Sequence, residues 1–217
     1  MQFNGIGNAS PGKIEGVVTV QGGVYANLSI DGVVTVEGDL EADNLTINGV
    51  CTCKGGIVCD DFSCDGVLTV TGDIRADLID VDGIVSINGE KAEADRIVCD
   101  GVIKIDGEVS ADVIEADGLI DAKEIVGDRV TIKSYRKNGL TRLMLKIGEK
   151  VGIHALSHSS IEMIEATTVD LRGVHAKFVS GHDVTIRSYC KIDRVECGGA
   201  LHIDPDARVG EIVGKAT

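Results

Sequence analysis

Apolar residues recur along the chain in a fixed pattern with a period of 17 residues. Between residues 34 and 81 the apolar positions advance by 2, 4, 2, 3, 2 and 4 residues and then begin again. Alternating apolar residues are typical of strands that bury one face, so each repeat is predicted to contain three short strands separated by corners. The matching positions in three successive repeats are Val34, Val36, Leu40, Ala42, Leu45 and Ile47, then Cys51, Cys53, Ile57, Cys59, Phe62 and Cys64, then Leu68, Val70, Ile74, Ala76, Ile79 and Val81.

Two series of glycines follow the same period. One series comes after Asp or Asn, at Asp31-Gly32, Asn48-Gly49, Asp65-Gly66, Asp82-Gly83, Asp100-Gly101 and Asp117-Gly118. The other comprises Gly38, Gly55, Gly72, Gly89 and Gly107. We expect the Asp and Asn side chains to bond their own backbone at corners, where the glycines after them tolerate left-handed dihedral angles.

Asn-Gly and Asp-Gly pairs are also typical of hairpins, so an antiparallel meander is an alternative. A meander does not require each triplet of strands to match the previous one residue for residue, whereas coils stacked in register do. The sequence therefore predicts an all-β fold, a parallel β-helix with about 17 residues per coil. Parallel crossovers are generally right-handed, which favours a right-handed coil. The spacing does not fit a left-handed helix of hexapeptide repeats.

The pattern also divides the chain. Residues 1–15 are predicted to be a short N-terminal extension, residues 16–132 regular coils, residues 133–165 an insertion, and residues 166–217 further coils. The first coil is one residue short, and one residue is added near Lys91-Ala92. The insertion is interpreted as a β-hairpin followed by an irregular stretch, because Leu143, Leu145 and Ile147 alternate there.

Charge is unevenly distributed. Residues 1–126 carry a net charge of −17 and residues 127–217 a net charge of +3. The acidic part disfavours nucleic acid as a partner, because duplex binding depends on neutralising phosphates. It is interpreted either as a solvated surface or as one half of a charge complementarity between subunits.

Sequence features also suggest a compartment. No apolar run reaches the roughly 20 residues that span a bilayer, and the N-terminus does not resemble a signal peptide. The seven cysteines are odd in number and include a cluster at inward positions, which favours reduced thiols. We therefore expect a cytoplasmic protein, at most peripheral to the inner face of the membrane.

The cysteines, histidines and aspartates that could form a metal or catalytic site can each be explained by a structural role instead. A CxC pair on a strand places both thiols inward, so packing is favoured over a metal site for Cys51, Cys53, Cys59 and Cys64. The histidines are predicted to be polar surface residues, with His202 pointing outward: His154, His158, His175, His182 and His202. The recurring aspartates are predicted to act at corners or on outer faces rather than as paired glycosidase acids: Asp39, Asp43, Asp73, Asp77 and Asp112. No catalytic, metal or cofactor site is predicted, and no enzyme activity.

Residues 38–49, 72–83 and 107–118 read GDLEADNLTING, GDIRADLIDVDG and GEVSADVIEADG. These segments resemble the bactofilin family of bacterial polymer-forming cytoskeletal proteins. The resemblance covers residues 16–126 well and residues 166–217 more loosely. It implies a right-handed β-helix that assembles into filaments without a nucleotide.

A solenoid end exposes unpaired backbone groups and a half-covered core, so it must be capped or paired. We expect the ends to stack on the ends of further copies, which implies a homo-oligomer or filament. The candidate residues are Val18, Val20 and Val24 at one end, and Leu201, Ile203, Val209 and Ile212 at the other.

The alternative is a scaffold or interaction module that does not polymerise. It would dock an acidic partner, such as a cell-envelope-associated protein, or a lipid surface, through the basic hairpin residues Arg136, Lys137, Arg142, Lys146 and Lys150. A sugar-active β-helix enzyme is disfavoured, because only 3% of residues are aromatic.

Overall fold

The computed structural model describes residues 2–3, 12–134 and 158–214. About 77% of these residues lie in strands, and none lies in a helix. The strands of the described residues are β1 (Gln2–Phe3), β2 (Gly12–Ile14), β3 (Val17–Ile30), β4 (Val33–Ile47), β5 (Val50–Cys53), β6 (Ile57–Cys64), β7 (Val67–Val70), β8 (Ile74–Arg75), β9 (Leu78–Val81), β10 (Ile84–Ile87), β11 (Lys91–Cys99), β12 (Val102–Ile105), β13 (Glu108–Ala116), β14 (Leu119–Lys133), β15 (Ser159–Arg172), β16 (Val174–Ile186), β17 (Lys191–Cys197), β18 (Leu201–Ile203) and β19 (Arg208–Gly214).

Each strand pairs in parallel with the equivalent strand one coil away. Val33 of β4 is opposite Val50 of β5, and Val67 of β7 is opposite Ile84 of β10, both at a step of 17 residues. The result is a parallel β-solenoid of about 11 turns, which confirms the fold class predicted from the repeat. The right-handed sense of the coil stays a prediction.

The core is a column of stacked aliphatic side chains inside the coils. Ile47, Cys64 and Val81 occupy equivalent positions in three successive coils, and each is at most 1% exposed. Phe62 is the largest fully buried side chain. Because burial of one such aliphatic side chain contributes about 1.5–3 kcal/mol, a core of small Val, Ile and Ala residues suffices when every coil repeats it.

The glycines after Asp or Asn have a different role from the one predicted. None of Gly32, Gly49 and Gly66 has a positive φ, so tolerance of left-handed angles is not the reason for glycine at these corners. These glycines instead form a column in which backbones touch: a Cβ on Gly49 or Gly66 would overlap the carbonyl oxygen of the glycine one coil earlier. The same carbonyl oxygen also accepts a backbone hydrogen bond from the next coil. Val50, which follows Gly49, donates its N–H to Gly32 O at 2.8 Å. Glycine is required because the corners stack without space for a side chain.

Two irregularities in coil length were predicted, and both are present. The added residue lies at Glu90 and Lys91, where the Asp73 carboxylate accepts hydrogen bonds from both backbone N–H groups at 2.7 and 2.9 Å. The short first coil shifts register between Gln21 and Gly23. This shift places Val24 opposite Glu41 on the outer side, so the inward orientation predicted for Val24 is wrong.

The boundaries of the solenoid differ from those expected. β2 pairs with Leu28–Ile30 and β1 with Thr19 and Val20, so part of the expected N-terminal extension belongs to the sheets. After the insertion, β15 begins at Ser159 and pairs with β14, seven residues before the expected return at residue 166. Residues 135–157 of the insertion, with the alternating residues Leu143, Leu145 and Ile147 of the predicted hairpin, lie outside the described residues.

The solenoid continues across the insertion without losing register. Ser134 takes the corner position that Gly118 holds one coil earlier and Gly173 one coil later, and its Oγ bonds Gly118 O at 3.2 Å. The Ser134 and Ser159 hydroxyl oxygens lie 2.6 Å apart, and Ser159 Oγ accepts the N–H of Ile120 at 3.0 Å. Ser159, which is fully buried, thereby joins the departing and returning chain segments.

Candidate assembly ends and outer surfaces

Among the described residues, the C-terminal end of the solenoid is open. β18 pairs with β16 and β19 pairs with β17, each along one edge, and no described strand pairs with the other edge of β18 or β19. The two edges run along Leu201–Ile203 and Arg208–Gly214. They present backbone N–H and C=O groups to any strand that aligns with them.

Core residues at this end are only partly covered. Leu201, Ile203 and Val209 pack on the core but are half-buried, and Ile212 is 46% exposed. Their equivalents one coil earlier are at most 1% exposed: Val184, Ile186, Ile192 and Val195. The four predicted C-terminal residues therefore form one core layer that no other described residue covers, which we call the terminal layer.

The N-terminal end is partly covered by the chain itself. β1 and β2 pair with two stretches of β3, and Val20 is 5% exposed. Val18 is half-buried against the core. Val24 is 59% exposed on the outer side and does not belong to the end of the core. Of the two ends, the C-terminal one presents the more complete open layer among the described residues.

An apolar column on the outer side of the solenoid was missed by the sequence analysis. Val17, Val33 and Val50 occupy equivalent outward positions and are 83%, 51% and 40% exposed. The same column continues through Val67 into a second cluster, separate from the core, that consists of Ile84, Val102 and Leu119. The signal was present in the sequence, because an apolar residue directly follows each of the six Asp-Gly or Asn-Gly pairs of the first glycine series.

All seven cysteines are buried and unpaired. Burial raises the pKa of Cys51, Cys59 and Cys64 to about 12, so these thiols stay protonated. The packing interpretation of the cysteine cluster is confirmed. In the part of the chain that the structure describes, there is no group of three or more His, Cys, Asp or Glu side chains placed to share a metal ion.

Three corner aspartates connect adjacent coils. Asp39 Oδ1 accepts the N–H of Gly56 at 2.8 Å, and Asp183 Oδ1 accepts that of Ala200 at 3.0 Å. Asp73 makes the equivalent bonds at Glu90 and Lys91. The corner role predicted for Asp39 and Asp73 is confirmed, although each carboxylate bonds the next coil rather than its own backbone. The hydrogen bond from Ala200, together with His182, lowers the pKa of Asp183.

The described histidines lie at the surface, with one pair in contact. His202 is exposed on the outer side, as predicted, and His182 Nδ1 lies 3.2 Å from the Asp183 carboxylate. The rings of His158 and His175 stack with their centroids 3.6 Å apart and their planes inclined by 33°. The 17-residue period does not predict this contact, because the step from β15 to β16 is 15 residues and places Ser160 directly opposite His175. His154 lies outside the described residues.

The predicted docking residues are not described either. Arg136, Lys137, Arg142, Lys146 and Lys150 all fall between residues 135 and 157. A docking role for them stays a prediction.

Comparisons with protein-family models, with curated proteins and with solved structures gave no match to this chain. None of its described residues forms a helix that is long and apolar enough to cross a bilayer.

Proposed function

We propose that this protein is a structural scaffold that assembles with further copies of itself by stacking solenoid ends, without a nucleotide. The observation that carries the proposal is the terminal layer: Leu201, Ile203, Val209 and Ile212 line an interior that no described strand covers. The sequence resemblance to the bactofilin family supports the same role. A parallel β-solenoid is consistent with a scaffold.

Stacking satisfies two physical requirements at once. The open edges of β18 and β19 gain hydrogen-bond partners, and the half-buried side chains lose their contact with water. Ile212, at 46% exposure, has the most apolar surface to lose among the four residues. A second coil placed on this layer extends the sheets with the same axial spacing, about 4.8 Å, that separates coils inside the molecule.

The test is to place a charge in the terminal layer. Ile212→Lys introduces an ammonium group that stacking would bury without a partner, so assembly should be lost. Val58→Lys is the matched control, because Val58 is 51% exposed on the outer side of β6, many coils away from the terminal layer. Light scattering over a concentration series and negative-stain electron microscopy report the assembled state.

We expect filaments or oligomers from the wild-type chain and from Val58→Lys, and monomers from Ile212→Lys. A wild-type chain that stays monomeric at high concentration would refute the proposal. Equal assembly of Ile212→Lys and the wild type would refute the terminal layer as the contact. Circular dichroism of each variant establishes that the solenoid is intact.

A further inference from the structure

The apolar column on the outer side of the solenoid changes from exposed to buried along its length. Its first three members, Val17, Val33 and Val50, are all at least 40% exposed. Its last three members are at most 7% exposed, although they are separate from the core: Ile84, Val102 and Leu119. Their cluster contains no apolar residue of the described chain from outside the column. Other atoms must therefore cover this end of the column, which we call the covered column.

The outward direction of these side chains follows from the alternation along each strand. In β12, Ile103 and Ile105 belong to the core, so Val102 faces the opposite side of the sheet. Val102 is nevertheless only 1% exposed, which requires a further layer of atoms above it. Asp121, two positions after Leu119, has a pKa raised mainly by desolvation, which is consistent with a cover over the same region.

The insertion leaves and re-enters the solenoid at this same column. Ser134 takes the corner position of Gly118, and His158 is aligned with Leu119 one coil later. Residues 135–157 therefore begin and end next to the covered column. The distance from Leu119 to Ile84 is two coil spacings, about 10 Å. A segment of this length that runs out and back reaches up to roughly 35 Å, since an extended residue spans about 3.3 Å.

The composition of residues 135–157 complements the covered column. The alternating Leu143, Leu145 and Ile147 provide apolar side chains, and five Lys or Arg against one Glu give the segment a net charge of +4. Each side chain of the covered column follows a corner aspartate by two positions: Asp82, Asp100 and Asp117. One contact can thus pair apolar with apolar surface and basic groups with carboxylates.

We propose that residues 135–157 dock on the covered column of their own chain, through the alternating side chains Leu143, Leu145 and Ile147. The docked segment brings its five basic residues to a face that is otherwise bordered by carboxylates. Its net contribution to stability is small, because ordering the segment costs conformational entropy that offsets the burial of a few aliphatic side chains. Accessibility of the column is therefore the property to measure.

Thiol labelling tests the docking directly. Val102→Cys places a thiol in the covered column, and Val33→Cys is the matched control at an exposed position of the same outer column. The seven native cysteines are buried, so a maleimide added to the full chain should report the new thiol. We expect Val102→Cys to react at least about tenfold more slowly than Val33→Cys, since its reaction requires local opening. Removal of residues 135–157, with Ser134 joined to His158, should make the two rates similar.

Substitutions within the segment separate apolar docking from charge attraction while the chain keeps its length. Changing the three alternating apolar residues to Asp should abolish the protection of Val102→Cys, because carboxylates do not enter an apolar contact. The matched control adds the same three charges outside the apolar set, and protection should persist in it: Asn138→Asp, Thr141→Asp and Gly148→Asp. Circular dichroism establishes that the solenoid is intact in each variant.

The labelling rates decide the proposal. Rapid labelling of Val102→Cys in the full chain would overturn it, and so would protection that survives removal of residues 135–157. Protection that disappears on dilution would assign the covering segment to a second copy and would also overturn docking within one chain. Equal loss of protection in both triple variants would contradict the apolar contact. None of these results bears on end-to-end assembly, which the terminal layer variants test separately.

Discussion

The side-chain amide of Asn48 donates a 2.8 Å hydrogen bond to Oδ1 of Asp31, which occupies the equivalent corner one coil earlier. The next corners of this column hold Asp65, Asp82 and Asp100, where an amide donor is replaced by carboxylates. One column of corners thus contains both an attractive contact between coils and a series of repulsive ones.

Asp82→Asn should stabilise the solenoid at neutral pH. The pKa of Asp82 is raised, first by desolvation and then by the carboxylates of Asp80, Asp100 and Asp65. A raised pKa means that ionisation destabilises the folded state, so stability is lost as the pH rises through this value. The variant removes that loss and provides an amide donor facing Asp65. We expect a gain of about 0.5 kcal/mol in the free energy of unfolding, the size of one relieved cross-strand repulsion.

Urea unfolding at several pH values measures this effect. The gain should shrink as the pH falls through the pKa of Asp82, because the wild-type carboxyl group becomes neutral there. Asn48→Asp is the reverse change and should lower stability at neutral pH. A gain that is independent of pH would contradict the electrostatic cause.

Gly66→Ala should destabilise the fold by about 2 kcal/mol or more, the cost of forcing an extra group into a packed site. The added Cβ would overlap the carbonyl oxygen of Gly49, which is backbone and cannot rotate away. Gly198→Ala is the control, because its Cβ would meet nothing closer than 3.9 Å. Thermal unfolding of both variants should separate them clearly, and equal melting temperatures would contradict the contact between corner backbones.

Removal of residues 135–157, with Ser134 joined directly to His158, should leave the solenoid folded. Ser134 ends one coil at the position of Gly118, and His158 begins the next at the position of Leu119, so the joined coil has 16 residues like others in the chain. We expect a change below about 1 kcal/mol in the free energy of unfolding, since loop-closure terms vary slowly with length.

Circular dichroism and thermal unfolding test this deletion. A deletion of residues 135–158 is the control: it also removes His158, shortens the joined coil by one residue and should be less stable, because a one-residue slip reverses the faces of a strand. Loss of strand structure in the shorter deletion would contradict the register across the insertion. The same variant reveals whether the basic residues of the insertion are needed for partner binding.

The cysteines of the third regular coil should resist alkylation in the native state. The thiolate is the reactive form, and a pKa of about 12 for Cys51, Cys59 and Cys64 leaves only about one molecule in ten thousand ionised near pH 8. Mass spectrometry after iodoacetamide treatment should find these residues unmodified in buffer and modified in concentrated guanidinium. Rapid labelling of Cys64 in buffer would contradict its burial.

Much of this fold was predictable because the same pattern of inward apolar residues recurs in successive coils. Ile47, Cys64 and Val81 are interchangeable in the pattern since each occupies the same site in successive coils. The prediction for Val24 was wrong because the pattern shows that the first coil is one residue short, but it does not show at which corner the residue is missing. Only the pairing of Gly23 with Leu40 shows where the register changes.

The structural role of some residues could not be predicted from the sequence either. An Asp-Gly pair is compatible with a turn that needs a left-handed glycine and with a corner that needs a bare backbone. The carbonyl of Gly32 against Gly49 distinguishes the two. The openness of the terminal layer was foreseeable, because any solenoid has two ends. That the N-terminal end would be partly closed by β1 and β2 was not, since two short strands carry no repeat.

Because the coils are evenly spaced along the axis, the number of turns sets the length of the molecule. About 11 turns at roughly 4.8 Å per turn give a rod on the order of 50 Å long. Subunits joined end to end in one direction would give a filament an axial repeat of that length. Subunits that alternate in direction would double the repeat. The axial repeat in an electron micrograph would therefore report the orientation of neighbouring subunits.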